Sequence, residues 1–179
     1  MKYVFRIEEN DYYEFNKYHA HNTPSLKRRT MATRIILPIV ILALANLVEQ
    51  SMDFSGPKYV YYGIFLAMAL CVFLFYNQIA NREIKRFIKR TKKTGRLYFD
   101  SEIAYEFLED SFTETTQDSA STFKYSIITK VSIGKNAFYL YISAQTAHIL
   151  PFRVFASDSD REEFLRFIQS KVTDIQNQK

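Results

Sequence analysis

Residues 59–76 read YVYYGIFLAMALCVFLFY, 18 positions without a charge, and the uncharged Asn77 and Gln78 carry the stretch on to Ala80. A helix needs about 20 mostly apolar residues to cross a bilayer, so 59–80 predicts a membrane span. Upstream, residues 35–48 read IILPIVILALANLV, and 31–48 reaches a comparable length once Arg34 snorkels toward the headgroups. A short loop, 49–57, containing MDFSGP at 52–57, joins the two. The pattern is a membrane hairpin over 31–80, with Pro38 expected in about the first turn of the first helix, where proline does little harm.

Cations set the orientation, because Lys and Arg near span ends stay on the cytoplasmic side. Lys17, Lys27, Arg28, Arg29 and Arg34 precede the uncharged run of the first span; Arg82, Lys85, Arg86, Lys89, Arg90, Lys92, Lys93 and Arg96 follow the second; between the two spans stands Lys58 alone. Both termini are therefore expected in the cytoplasm, in an integral protein of the bacterial cytoplasmic membrane. The first 30 positions are charged and aromatic, unlike a cleaved signal peptide. The single cysteine, Cys71, lies inside the second span and reads as a small apolar side chain.

The formal charge of +5 is unevenly placed. Residues 82–96 carry eight cations and one acid, whereas 97–179 carry twelve acids and eight cations. The basic character belongs to a collar at the membrane, which argues against a nucleic-acid partner and for attraction to anionic headgroups. An apolar stripe of Ile79, Ile84, Phe87 and Ile88 runs through the collar, so the second helix is expected to continue to about Lys93. Residues 81–94 form this juxtamembrane helix, and Arg82, Lys85, Arg86, Lys89, Arg90, Lys92 and Lys93 are its candidate headgroup contacts.

Two soluble portions flank the hairpin. In 1–30, Tyr3, Phe5 and Ile7 alternate with Lys2, Val4, Arg6 and Glu8, a strand rhythm spoiled only by Val4. Asp11 with Glu14 three positions on suggests a helix start, with Tyr12, Phe15, Asn16 and His19 on one face and a turn at Asn22, Thr23 and Pro24. So short a piece cannot form a core alone; it docks on the larger domain or lies at the membrane, and the pattern leaves open whether its strand joins the later sheet.

From Gly95 the rhythm is that of short strands, at 103–108, 112–116, 122–124, 127–133, 137–142 and 147–150. Glu109 with Asp110, and Gly134 with Lys135 and Asn136, mark turns between neighbours. Ser159 to Glu162 reads as a capping box, followed by Phe164, Leu165, Ile168, Val172 and Ile175 at helical spacing. The fold class is α+β: a two-helix hairpin followed by a small cytosolic antiparallel β domain, 95–179, closed by a C-terminal helix.

Several stretches resemble the YcxB-like family of bacterial membrane proteins. They are FRIEENDYYEFNKYH at 5–19, TPSLKRR at 23–29, EIAYEFLEDSFTETTQ at 102–117, FKYSIITKV at 123–131, FYLYIS at 138–143 and ILPFRVFASDSDREEF at 149–164. The family often has Pro-Trp-Ser where this chain has Lys124, Tyr125 and Ser126, and Pro-Lys-Arg where it has Pro151, Phe152 and Arg153. The resemblance implies a cytosolic domain similar to the pleckstrin-homology superfold and carries over no catalytic residue. Lys124, Tyr125 and Arg153 are its candidate domain-edge binding positions.

Signals for chemistry are sparse. His19 and His21 form one alternating pair without a cysteine or acid cluster, weak as a metal site. His148 sits among apolar strand residues. Glu109 with Asp110, and Asp158 with Asp160, fall at a turn and a helix start, where acids are favoured locally. With four glycines in all there is no phosphate loop, and no nucleophile has a base at a telling spacing. No catalytic residue, metal or cofactor is expected. Gly63, Ala67 and Cys71, four apart, make a seam of small side chains, expected to pack within the hairpin near Ala43 and Ala45 or to receive another membrane protein or a second copy. Asn46 is expected to bond between the helices.

Three functions follow. The first is a non-enzymatic membrane-anchored binding or regulatory protein with its domain at the inner leaflet. The alternative is a self-protection (immunity) protein acting against a membrane-active toxin or bacteriocin. The third is an enzyme or metal protein using His19 and His21.

Overall fold

The computed structural model describes residues 1–51, 56–94 and 101–177. Residues 52–55 of the turn expected over 49–57, and the expected domain start at Gly95, lie outside the described residues. In order the elements are β1 (Lys2–Arg6), α1 (Glu9–Asn22), α2 (Pro24–Ser51), α3 (Lys58–Lys93), β2 (Glu102–Phe107), β3 (Ser111–Thr115), β4 (Ala120–Lys124), β5 (Lys130–Ile133), β6 (Ala137–Tyr141), β7 (Ala147–Pro151), α4 (Asp158–Lys171) and β8 (Ile175–Asn177). Two long apolar helices, antiparallel strands and a late helix make this an α+β protein. The chain divides into two compact units: residues 1–19 with 86–179, and residues 20–85.

In the first unit one sheet has the order β1-β2-β3-β4 and the other β7-β6-β5-β8. The N-terminal and terminal stretches thus share a sheet. β1 lies antiparallel to β2, with Tyr3 opposite Tyr105 and Phe5 opposite Ile103, and the Met1 amine donates to the carbonyl of Phe107 at 3.0 Å. Alternation does what the pattern requires: Tyr3 and Phe5 are buried and Val4 faces out. Phe107, Phe112, Phe138 and Phe164 fill the core, with Tyr3 edge-on to Phe164 at 5.8 Å.

The outer face of the second sheet is covered by α1. Phe15 and Tyr18 sit 5.3 and 5.1 Å from the ring of Tyr139, and Phe15 lies 5.9 Å from that of Tyr141. Asp11 is not the N-cap of this helix but its third residue. The helix begins earlier, and the Asp11 carboxylate reaches back to accept from the Glu8 amide at 2.8 Å. Gly134 turns the β5–β6 hairpin where a Cβ would come within 2.5 Å of the Tyr139 ring.

Further sequence expectations shift in the second half of the chain. The strand expected over 127–133 is shortened because residues 125–127 form a 3-10 turn that buries Tyr125 and sends its hydroxyl to the Leu108 carbonyl at 2.8 Å. The helix expected from Ser159 starts two residues sooner: Ser157 is its cap, accepting from the Asp160 amide at 3.2 Å, while Asp160 accepts from Ala156 at 3.0 Å. Finally, Val172 and Ile175 are not on the helix. α4 ends at Lys171, Val172 is extended, and Ile175 opens β8, the one parallel strand among the described residues, paired with Val131 of β5. An unpaired β5 edge offers the tail backbone partners that a further helical turn would not.

The second unit holds the hairpin. α2 and α3 are long and apolar enough to cross a membrane, and 6% of each apolar window is buried, unlike the mostly buried core helix of a soluble domain. Ala45 and Ala69 are buried, and Tyr61 donates to the Ala45 carbonyl at 2.8 Å. Tyr62 reaches Asn46 at 3.4 Å, the expected interhelical bond. α2 begins at Pro24, so Pro38 lies in its interior rather than its first turn; it removes the donor that the Arg34 carbonyl would otherwise meet.

A chain joining residues 1–22 through a flexible linker to 86–179 is expected to melt cooperatively by circular dichroism, whereas residues 101–179 alone, lacking β1 and α1, are expected to melt without a cooperative transition. Gly134→Ala should lower the stability of the joined chain by about 1–3 kcal/mol, because the buried Tyr139 ring has to move.

Candidate functional site

Arg153, expected at a domain edge, is the centre of a clasp on the N-terminal segment. Its Nη1 and Nη2 donate to the two carboxylate oxygens of Asp11 at 2.7 and 2.6 Å, and Nη2 also to the carbonyl of Arg6 at 2.7 Å. Glu8 adds an ion pair at 3.5 Å. The fork geometry matches a carboxylate, and Asp11 is 7% exposed. The hydrogen bond to Asp11, reinforced by the Asp11 and Glu8 charges, raises the guanidinium pKa further. Of the other edge candidates, Lys124 is exposed at the end of β4, while Tyr125 is buried and its hydroxyl is pushed up to about 12, chiefly by burial. The spacing that would have revealed the clasp is absent from the sequence, since Asp11 and Arg153 lie far apart along it.

A second polar cluster joins the two sheets. His148 Nδ1 lies 3.2 Å from the Tyr105 hydroxyl and 3.1 Å from Glu114 Oε2, and Tyr105 donates to Glu114 Oε1 at 3.3 Å. Phe112 and Phe123 enclose the imidazole at 5.2 and 5.0 Å. His148 Nε2 is buried without a hydrogen-bond partner among the described residues. Burial first, and then the Glu114 charge, raise the Tyr105 hydroxyl far above its ordinary value. Together the phenol, imidazole and carboxylate link β2, β3 and β7.

His19 and His21 do not form a pair. Both lie on α1, and side chains two apart on a helix diverge. His19 stacks on Phe15 and lies 3.4 Å from the Tyr141 hydroxyl, and His21 lines a cavity of the hairpin unit. Among the described residues no three His, Cys, Asp or Glu converge as a metal site.

The collar and the seam are surface features. Arg82, Lys85, Arg86, Lys89, Arg90 and Lys93 are exposed along α3, and Lys92 is bonded to Glu9 at 2.9 Å. The seam of Gly63, Ala67 and Cys71 faces outward, with open space where a Gly63 Cβ would stand. It is therefore not the packing surface of the hairpin, which runs through Ala45, Tyr61 and Ala69.

The fold and these surfaces describe a protein with two membrane-length helices and a mixed α+β domain. The family model described as YcxB-like protein matches residues 107–168, so over that stretch the resemblance read from the sequence holds. The match spans β3 to β7 and most of α4, leaving β1, α1, the hairpin and β8 outside it. No curated protein and no solved structure matches the chain.

Arg153→Met leaves the Asp11 carboxylate buried and unpaired, and should lower stability in urea melts by about 2 kcal/mol, with the joint Asp11→Leu, Arg153→Met variant recovering part of the loss. The His19 pKa is lowered, by burial and then by Lys130. Below the ordinary value of about 6.5 the unfolded chain therefore binds the proton more readily, and stability falls as pH drops from there toward the folded-state pKa. His19→Phe should flatten that part of the stability–pH curve.

Proposed function

We propose that this is a non-enzymatic, membrane-anchored binding or regulatory protein whose domain is held at the inner leaflet of the bacterial cytoplasmic membrane. The observation that carries the reading is the position of the hairpin in the chain, between two strands that pair with each other. A chain that leaves a domain and returns to the same sheet must re-emerge on the face of the bilayer it entered, so both flanks share one compartment. The cationic flanks favour the cytoplasm. A domain tied down through two connections gains a high effective concentration against anything at that surface, and anionic headgroups are the nearest partner for the collar. Lys124 and the free edge of β4 remain available to a protein.

The outward-facing seam of Gly63, Ala67 and Cys71 favours a second reading, a partner or second copy inside the bilayer, and with it the self-protection role.

One measurement tests the inner-leaflet placement and a second separates the two readings. In a Cys71→Ala background, Ser51→Cys should react with an impermeant maleimide in intact cells and Ser143→Cys only after permeabilisation; the reverse pattern would refute the inner-leaflet reading. In crosslinked membranes, a partner retained by the Gly63→Leu, Ala67→Leu, Cys71→Leu variant assigns binding to the domain. A partner lost in that variant assigns it to the hairpin.

A further inference from the structure

The hairpin unit contains a cavity of about 200 Å³ walled by the end of α1, by α2 and by α3. Its polar lining is His21, Lys27, Thr30, Arg34, Asn77 and Asn81, and no acid lines it. Arg34 is the informative member, because it directly precedes the uncharged run 35–48, at headgroup depth, and is held in one orientation by α3. Its Nε donates to the Phe73 carbonyl at 3.0 Å and its guanidinium lies 4.5 Å from the centre of the Phe73 ring. That anchoring fixes the plane of the group. Nη1 and Nη2 keep their protons without an acceptor among the described residues. Lys27, seven positions earlier on the same helix, has no ion-pair partner among the described residues. Two cations and the amides of two asparagines thus line one recess, and the rest of its wall is the apolar side of Ala20, Met31, Ala80 and Ile84.

Such a lining suits a ligand with an anionic, oxygen-rich head and a hydrocarbon body. Fixed guanidinium and amide donors satisfy phosphate oxygens, and the recess holds the volume of roughly six waters, enough for a phosphate and part of its glycerol. We propose that this cavity binds the phosphate of one anionic phospholipid, held by Lys27 and Arg34 and oriented by Asn77 and Asn81. The site is distinct from the exposed cations of the collar, and it rests on the reading that α2 and α3 cross a membrane.

The test uses the full chain purified in a neutral detergent and titrated calorimetrically with dihexanoyl-phosphatidylglycerol, dihexanoyl-phosphatidylcholine and inorganic phosphate. One phosphatidylglycerol should bind per chain, about tenfold more tightly than phosphatidylcholine. Lys27→Gln with Arg34→Gln should weaken it about tenfold, and so should Ala80→Phe, which fills the recess without changing charge. Lys89→Gln with Arg90→Gln, in the collar, should change it less than about twofold. Equal loss in the collar and cavity variants would overturn the proposal in favour of diffuse attraction, and unchanged binding in Ala80→Phe would place the ligand elsewhere. Inorganic phosphate binding as tightly as phosphatidylglycerol would make the ligand a free anion and not a lipid. Extraction of the wild-type chain from membranes by alkaline carbonate would refute the membrane reading itself; retention with no preference for phosphatidylglycerol would refute only this site.

Discussion

The antiparallel pairing of β1 with β2 is the constraint on which the rest of the molecule depends. Between these strands the chain makes α1 and both long helices, then returns to complete the same ladder. Without β1 the inward rings of Tyr105 and Phe107 lose Tyr3 and Phe5 as neighbours. Without α1 the aromatic face of Tyr139 and Tyr141 loses Phe15 and Tyr18. The domain is therefore assembled from both sides of the hairpin, and neither side has a complete core by itself.

Closing a ladder over so long an insertion costs chain entropy, although that cost grows only with the logarithm of loop length. A helical hairpin lowers it further, because stiff helices have few conformations to lose. The Arg153 clasp acts on the same junction. By gripping Asp11, the Arg6 carbonyl and Glu8 together, it joins the end of β1 and the start of α1 to the turn after β7. Its contribution depends on the carboxylate being buried: an exposed pair of this kind adds little, whereas removing one partner of a buried pair leaves an uncompensated charge.

The hairpin was the most legible part of the sequence, because a membrane-length apolar run has few alternative explanations. The strands from Glu102 to Pro151 were legible for a related reason: alternation and turn residues are local signals. What escaped was non-local. Nothing near Lys2 in the sequence says that its strand will lie beside Glu106. Ile175 keeps the helical spacing set by Phe164 and Ile168, yet belongs to a parallel strand because the edge of β5 was available. Gly63, Ala67 and Cys71 form a real seam, but small side chains do not say which way they face, and here Ala45 and Ala69 took the interface. The cavity was invisible for the same reason, since Lys27 and Arg34 read as ordinary flanking cations until Asn77 and Asn81 were placed opposite them.

The central claim is the β1–β2 register, and a disulfide measures it directly. Val4 and Ala104 are opposed, and they alternate with the bonded Tyr3–Tyr105 pair, so they form a non-hydrogen-bonded pair with closely spaced Cα atoms. In a Cys71→Ala chain, Val4→Cys with Ala104→Cys should oxidise within one molecule, giving a monomer of faster mobility on a non-reducing gel. Val4→Cys with Thr122→Cys should not. Failure of the first pair to close in membranes, or closure only between chains, would contradict a domain built across the hairpin.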